Sequence, residues 1–255
     1  MQHGEVSGKT YLVTGSTDGI GRHTASKLVA AGANVLLHGR TQEKVTATKR
    51  DLDSIAKGNK ISSYTYNLAS LSQIRKFAEA IRADHNNIDV LINNAGSSID
   101  FDNLQQEKGF SSHNSYSLSK LASMMFTCDL AEHMKPKGVT VNCLDPGTVN
   151  TKMLIAGWGA CGIDVKDANY EYKLATDPSL AKETGKYYVN ARDEIPALVR
   201  LSTQLYRLCK NVSHVWQTTC IPMEPNEVAL LMSRVHSQLL FADAPGSAVV
   251  LCWQQ

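Results

Sequence analysis

Residues 11–21 read YLVTGSTDGIG, a short apolar run followed by a turn that holds three glycines. The apolar run predicts a buried strand, and the apolar spacing of residues 20–31 predicts a helix directly after the turn. Gly15 permits a tight turn, Gly19 leaves space for a pyrophosphate, and Gly21 allows close packing of the helix on the strand. Glycines can also simply mark a loop. Between a strand and a helix, however, the turn indicates a phosphate site where helix N–H groups and the helix dipole meet the ligand.

The same alternation of strand and helix continues along the chain on both sides of this turn. Short apolar or alternating segments predict further strands, and segments with apolar residues on one face predict helices. The strands are predicted near residues 34–38, 61–66, 88–92 and 139–144, and the helices near 42–56 and 72–84. Repeated β-α-β units of this kind predict an α/β fold, a Rossmann-like doubly wound parallel sheet with right-handed crossovers.

Composition excludes several classes of protein. The 255 residues are 43% hydrophobic and 20% charged, and the formal net charge is +2. Basic residues are scattered, so a nucleic-acid partner is not expected. No apolar run approaches the roughly 20 residues that a membrane span requires, so none is expected and the predicted location is cytoplasmic. The six cysteines show neither a C-x-x-C pair nor a metal-like spacing, which predicts reduced thiols and no metal site.

Three motifs occur in a characteristic order: TGSTDGIG at residues 14–21, NNAG at 93–96 and YSLSK at 116–120. In this order they resemble the short-chain dehydrogenase/reductase family. Residues 99–108, IDFDNLQQEK, resemble its retinol-dehydrogenase-like branch. The resemblance implies an NADP-dependent oxidoreductase that interconverts a carbonyl and an alcohol on a small apolar molecule. It gives Tyr116 the role of general acid/base, and Lys120 that of favouring the phenolate and holding the nicotinamide ribose.

The resemblance also implies a set of cofactor-binding residues at the carboxyl edge of the sheet. They are Gly15, Ser16, Asp18, Gly19, Ile20, Gly21, Arg40, Asn67, Leu68, Asn94, Ala95, Gly96, Pro146, Gly147 and Thr148. Asn67 stands where the family has an aspartate, so the charge is lost there. After the second strand the chain has Arg40 and no acid before Glu43, which predicts NADP(H) over NAD(H) because a guanidinium pairs with the 2′-phosphate. The alternative is a solvated loop arginine.

Only residues 97–115 separate the second motif from the third. A helix, a strand and their loops need roughly 25 residues or more, so one helix and one strand are predicted to be missing from the middle. The family's catalytic serine and asparagine lie on these elements. The sheet is then expected either to keep an unfilled slot or to bring strand 139–144 beside strand 88–92. Two functions stay open: the oxidoreductase, or a catalytically impaired relative (a pseudoenzyme or variant transcript product) that retains at most cofactor or partner binding.

The carboxy-terminal part divides in two. Residues 1–211 are predicted to form the dehydrogenase-like domain, and residues 212–255 an unmatched extension with an amphipathic helix near 227–240. The extension is expected to pack on the exposed sheet or to be disordered around residues 242–249, and a partner-binding helix is the alternative. A substrate loop is expected at residues 152–175, with Met153 and Trp158 as wall residues. The expected partner is a small carbonyl or alcohol substrate, and assembly as a homo-oligomer is left open.

Overall fold

A computed structural model of the chain describes residues 6–94, 127–128, 130–189, 198–199 and 248–252. The strands are β1 (Thr10–Val13), β2 (Asn34–Gly39), β3 (Ile61–Thr65), β4 (Val90–Asn93), β5 (Thr140–Asp145), β6 (Lys186–Val189), β7 (Leu198–Val199) and β8 (Ala248–Cys252). The α-helices are α1 (Gly19–Ala30), α2 (Gln42–Asp53), α3 (Leu71–Asp84), α4 (Lys152–Trp158) and α5 (Tyr170–Thr176). Residues 127–128 and 130–134 are also helical. Short 3-10 helices lie at Lys135–Lys137, Val165–Asp167 and Pro178–Leu180.

The strands form one sheet in the order β3-β2-β1-β4-β8-β5-β6-β7. Every neighbouring pair is parallel except β6 and β7, which are antiparallel. Strand order runs outward from β1 in both directions, as in a doubly wound fold. The predicted α/β fold class is therefore confirmed.

Apolar side chains on both faces of the sheet explain why the strands are nearly continuous hydrophobic runs. On one face Val13, Val35 and Ile92 are buried together with residues of α1 and α5. On the other face Leu12 and Leu91 pack with residues of α3 and of the helical segment 130–134. Both faces are thus covered, and the strand ends are left as the accessible edge of the sheet.

Strand β8 occupies the middle of the sheet, between β4 and β5. It pairs in parallel with β4 from Val90↔Ala248 to Asn93↔Leu251, and with β5 from Thr140↔Ala248 to Leu144↔Cys252. Neither expected arrangement of a shortened sheet is found: the slot is filled, and β5 does not lie beside β4. The missing central strand is replaced by five residues from near the end of the chain, where the apolar sequence AVVLC suits a strand between two others.

This strand belongs to the predicted extension at residues 212–255, so part of that extension is continuous with the sheet. The boundary at residue 211 and the amphipathic helix near 227–240 lie outside the described residues and stay predictions. Within the described segments, no helix combines the length and the apolar character that crossing a bilayer requires.

Candidate nucleotide site

The glycine turn joins the end of β1 to the start of α1. Gly15 and Gly19 have φ of 63° and 55°, in the left-handed region that favours glycine. Asp18 is the N-cap of α1, and its Oδ1 accepts a hydrogen bond from the Gly19 N–H at 2.9 Å. The turn is therefore fixed by backbone conformation and by a side-chain cap.

Close packing holds the turn against the end of β4. A Cβ atom at Gly21 would collide with Asn94 Nδ2 and lie 2.8 Å from the Gly15 carbonyl oxygen. The Asn94 amide is buried and donates hydrogen bonds to the carbonyl oxygens of Thr14 at 2.8 Å and Gly15 at 3.2 Å. The structure thus brings together two separate sequence predictions, the glycine motif and Asn94.

The charge of Asp18 is compensated within the site. Its Oδ2 lies 2.7 Å from Lys152 Nζ, at the start of α4. The hydrogen bond from Lys152 lowers the pKa of Asp18, so the carboxylate is ionised at neutral pH. A cavity of about 190 Å³ opens beside this pair, and its lining includes Arg22 and Lys44. Lys152 therefore offsets the repulsion that a bare carboxylate would exert on a phosphate.

His38, at the end of β2, is a site residue that the sequence pattern did not single out. It is 1% exposed, and its ring lies 4.8 Å from the ring of Phe77. Its Nδ1 accepts a hydrogen bond from the Gly15 N–H at 3.2 Å, and its Nε2 lies 2.9 Å from the Tyr66 carbonyl oxygen. Burial lowers the pKa of His38 to about 4. A single histidine within an apolar run belongs to no recognisable sequence motif, so its contacts with Gly15 and Tyr66 are known only from the fold.

Arg40 follows the last residue of β2 and is exposed. The preceding Gly39 packs so closely on the glycine turn that a Cβ there would lie 2.6 Å from Thr17 Cγ2. The backbone therefore carries Arg40 next to the glycine turn.

Asn67 and Leu68 lie in the loop that follows β3. The Asn67 side-chain oxygen accepts a hydrogen bond from the Ala69 N–H at 3.0 Å. The Asn67 backbone N–H donates a hydrogen bond to Gln73 Oε1 at 2.7 Å. Asn67 is exposed and Leu68 is half-buried. The loop is thus ordered by its own polar groups, beside the strand end that His38 contacts.

The loop after β5 lies on the other side of the glycine turn. Gly147 has φ of 69°, and its N–H donates to Asp145 Oδ1 at 2.8 Å, which shapes the turn around Pro146. Thr148 accepts a hydrogen bond from the Ile163 N–H at 3.0 Å. Farther along, the Thr151 side chain approaches Gly19, since a Cβ there would lie 3.5 Å from Thr151 Cγ2. The loop therefore lines the same edge as the turn.

Some predicted site residues cannot be placed with this set. Ala95, Gly96, Tyr116 and Lys120 lie outside the described residues. Asn93 Oδ1, at the end of β4, is buried and has no hydrogen-bond partner among the residues described. Across the described ranges, no cluster of three His, Cys, Asp or Glu side chains suits a metal ion.

The described residues fit a dinucleotide at this edge. Gly21 lies directly against Asn94 and the Gly15 carbonyl oxygen, so α1 packs closely on the strand end, while Gly19 adds no side chain at the start of the helix. Helix α1 begins there with N–H groups available to a phosphate. Arg40, Asn67 and Leu68 lie beyond the ends of β2 and β3, and Pro146, Gly147 and Thr148 beyond the end of β5. Ligands of open α/β sheets bind at this carboxyl edge, where the strand order reverses.

Comparison with known proteins identifies the family to which the sequence is similar. The model described as short chain dehydrogenase matches residues 9–113 and 104–158, together more than half of the chain. Retinol dehydrogenase 13 of Homo sapiens is 29% identical over an alignment of 202 positions, gaps included, and the match covers 58% of this chain and 61% of that protein. Retinol dehydrogenase 14 of Homo sapiens is 25% identical over an alignment of 271 positions, gaps included, and the match covers 75% of this chain and 81% of that protein. Both relatives contribute more residues to the alignment than this chain does, in agreement with a missing internal segment.

Solved structures share the fold. A short chain dehydrogenase from Salmonella enterica serovar Typhi has a TM-score of 0.64 at 20% identity, covering 74% of this chain and 98% of that one. L-Sorbose reductase from Gluconobacter frateurii, in complex with NADPH and L-sorbose, has a TM-score of 0.61 at 19% identity, covering 74% of this chain and 97% of that one. This chain spans 61% of the length of retinol dehydrogenase 13. On the sequence match, supported by the sheet and the glycine turn, the chain belongs to the short chain dehydrogenase family.

Proposed function

We propose that the protein is an NADP(H)-dependent oxidoreductase that interconverts a carbonyl and an alcohol on a small apolar molecule. The observation that carries the proposal is the packing of Gly21 on Asn94, which holds the glycine turn and the start of α1 against the end of β4 at the carboxyl edge of the sheet. The nucleotide, when bound, supplies the hydride chemistry. The remaining roles belong to side chains of this chain.

Arg40 supports NADP(H) over NAD(H). It is exposed beside the glycine turn, and no acid follows β2 before Glu43. A guanidinium forms bidentate hydrogen bonds with a phosphate, whereas a carboxylate at this point would repel it. Two L-sorbose reductase structures that share the fold were determined in complex with NADPH.

Tyr116 and Lys120 are proposed to handle the proton. They are four residues apart, the spacing that places two side chains on one helical face. The phenol would hold or release a proton at the substrate oxygen, and the nearby ammonium would favour its ionised form. Neither residue lies in the described ranges, so these roles rest on the sequence motif.

Exposed apolar side chains on α4 support an apolar substrate. Met153 is 51% exposed and Trp158 is 74% exposed, while Leu154 anchors the helix in the core. The helix follows the loop after β5, so these side chains lie near the proposed nicotinamide end. An apolar substrate bound against Met153 and Trp158 would remove apolar surface from water, and this burial favours binding.

The test is titration of the purified protein with NADPH and NADH, followed by NADPH oxidation against a panel of aldehydes and ketones. We expect tighter binding of NADPH, a loss of that preference in Arg40→Ala, and turnover that is lost in Tyr116→Phe. Tighter NADH binding would refute the cofactor assignment. Equal rates in the parent protein and Tyr116→Phe would refute the enzymatic role.

A second candidate function is nucleotide binding without turnover. It is favoured by β8, which fills the place beside β4 with the sequence AVVLC, in which no serine occurs. If the family's serine is missing from this strand, the hydrogen bond that it makes to a reacting oxygen is missing too, and each such bond is typically worth about 10²–10³ in rate. NADPH binding with no oxidation of any substrate in the panel would support this candidate over the first.

A cytoplasmic location is part of the proposal. Cys161 is an exposed free thiol, and Cys128 and Cys143 are buried free thiols. Reduced thiols of this kind are typical of a reducing compartment. Thiol titration of the protein isolated under non-reducing conditions checks this, and disulfides among these cysteines would contradict it.

A further inference from the structure

His38 lies where the ends of three neighbouring strands meet. It belongs to β2, its ring contacts the turn after β1 through Gly15, and it contacts the end of β3 through Tyr66. Its backbone is tied to the turn as well. The Ser16 N–H donates to the His38 carbonyl oxygen at 2.9 Å, and the His38 N–H donates to Ser16 Oγ at 2.9 Å.

The two ring contacts define one protonation state. The Gly15 N–H can only donate, so Nδ1 must accept and carry no proton. The Tyr66 carbonyl oxygen can only accept, so Nε2 must carry the proton. The ring is therefore a neutral imidazole with one donor and one acceptor, both used. Burial acts in the same direction, because it disfavours the charged form.

These contacts connect the two loops that the proposed nucleotide would touch. On one side Gly15 begins the glycine turn, and on the other Tyr66 directly precedes Asn67. The imidazole is rigid and is hydrogen-bonded through both nitrogens, so it sets the distance between the two loops. The Phe77 ring packs against the imidazole, with 4.8 Å between the ring centroids and 32° between the ring planes.

We infer that His38 is a positioning residue, which holds the glycine turn and the Asn67–Leu68 segment at the spacing that nucleotide binding requires. This inference rests on the proposed function, since the ligand is the nucleotide. The competing explanation is that His38 only fills space in the core beside Phe77, in which case an apolar ring of similar size would serve equally well.

Three substitutions separate the two ring contacts. His38→Phe keeps a ring beside Phe77 and removes both hydrogen bonds. His38→Asn branches at the same atom as imidazole, so its Oδ1 can replace the acceptor for the Gly15 N–H. His38→Gln is one bond longer, so its amide can reach the Tyr66 carbonyl oxygen but leaves Gly15 without an acceptor.

Nucleotide affinity is measured by titration with NADPH, well below the unfolding temperature of each variant. Loss of one hydrogen bond that shapes the turn is expected to weaken binding about tenfold in His38→Phe and His38→Gln. His38→Asn is expected to remain within about threefold of the parent protein. An unchanged affinity in His38→Phe, or an affinity of His38→Asn as weak as that of His38→Phe, would overturn the inference.

Tyr64→Phe is the matched control. Tyr64 is also buried beside Phe77, at a ring distance of 5.6 Å, and its hydroxyl donates to Asp84 Oδ2 at 2.9 Å. Its hydrogen bonds point away from the glycine turn. We expect Tyr64→Phe to change the unfolding temperature but not the affinity. A parallel loss of NADPH affinity in this control would show that general destabilisation explains the result, and would overturn the positioning role.

Amide hydrogen exchange tests the same inference without any nucleotide. Exchange in residues 14–21 and 66–70 should be faster in His38→Phe than in the parent protein, with exchange in residues 14–21 restored in His38→Asn. Unchanged exchange in both segments would overturn the positioning role. If the parent protein bound neither nucleotide, the proposed function would fail, and the exchange result would still decide the role of His38.

Discussion

At position 21 the fold leaves no room for even a methyl group. A Cβ atom there would meet Asn94 Nδ2, the group that donates to the Thr14 and Gly15 carbonyl oxygens. In Gly21→Ala the helix α1 must shift or Asn94 must give up its hydrogen bonds. We expect a loss of about 1–3 kcal/mol in the free energy of unfolding, together with loss of NADPH binding. Thermal unfolding by circular dichroism and NADPH titration measure the two effects.

Gly157→Ala is the control for that substitution. Gly157 lies in α4, and a Cβ there would meet nothing within 4 Å. Alanine is favoured over glycine inside a helix by about 1 kcal/mol, so this variant should be as stable as the parent protein or more stable. Equal destabilisation of the two variants would contradict the packing argument.

His38 predicts a pH dependence of stability. Burial lowers its pKa from 6.5 to about 4 in the folded protein, opposed by its hydrogen bond to Tyr66. Between these values the unfolded chain binds the proton and the folded chain does not, so stability falls as pH drops below 6.5 and the loss levels off below about 4. The full effect is about 3 kcal/mol.

Denaturant unfolding at several pH values between 7 and 4 measures this dependence. His38→Phe lacks the titrating group and serves as the reference, so the difference between the two proteins isolates the contribution of His38. A constant difference across this range would contradict the buried neutral ring.

The conformation of the glycine turn could be predicted because a local pattern has a local cause there. Gly15, Gly19 and Gly21 follow from the steric needs of a turn between a strand and a helix, and Asn94 from a motif at a strand end. His38 was missed because its partners, Gly15 and Tyr66, are 23 and 28 residues away in the chain. The ion pair between Lys152 and Asp18 was missed for the same reason, because it spans 134 residues of the chain.

At the level of elements, the central position of β8 predicts that its removal destabilises the whole sheet. Removal of residues 246–255 would leave the backbone groups of β4 and β5 that face β8 without partners in the middle of the sheet. Each unpaired buried backbone group costs about 1–3 kcal/mol, so we expect loss of cooperative folding. Thermal unfolding by circular dichroism is the measurement, and Val250→Pro should act in the same direction because proline cannot donate to the ladder.

Removal of residues 253–255 alone is the control, because it leaves the whole of β8 in place. This shorter deletion should retain cooperative unfolding. If the chain without residues 246–255 unfolded at the same temperature as the parent protein, β8 would not be part of the stable sheet.

The elements of the first half were predictable, and β8 was not. Strands β1 to β4 alternate with α1, α2 and α3, and the apolar spacing within each segment is sufficient to locate it. The pairing of β1 with β4, from Tyr11↔Val90 to Val13↔Ile92, follows from the doubly wound order that repeated β-α-β units predict. The sequence predicts that the extension packs on the exposed sheet or is disordered around residues 242–249, and it predicts no strand at residues 248–252, where the structure has β8. Its place depends on an opening between β4 and β5, which are more than 100 residues away from it along the chain.

For the whole molecule, the continuous sheet predicts that its strands unfold together as one cooperative unit. Strand β8 is the hydrogen-bonded link between β4 and β5, and so between the glycine-turn half of the sheet and the half that contains β6. Saturating NADPH, at about 100 times its dissociation constant, should raise the free energy of unfolding by about 2.7 kcal/mol. Slower amide exchange should then extend into β5 and β6. NADH at the same concentration is the control, and protection confined to β1–β4 would contradict a single unit.

The sequence by itself determined the family, the order of strand and helix through the first half, and the glycine turn. These depend on spacings of a few residues, which fix backbone conformation and apolar faces locally. It also predicted that a central strand was missing. The tertiary structure alone decided what replaces that strand, and that His38 and Lys152 join the site, because such contacts arise only when segments distant in the chain meet at one edge of the sheet.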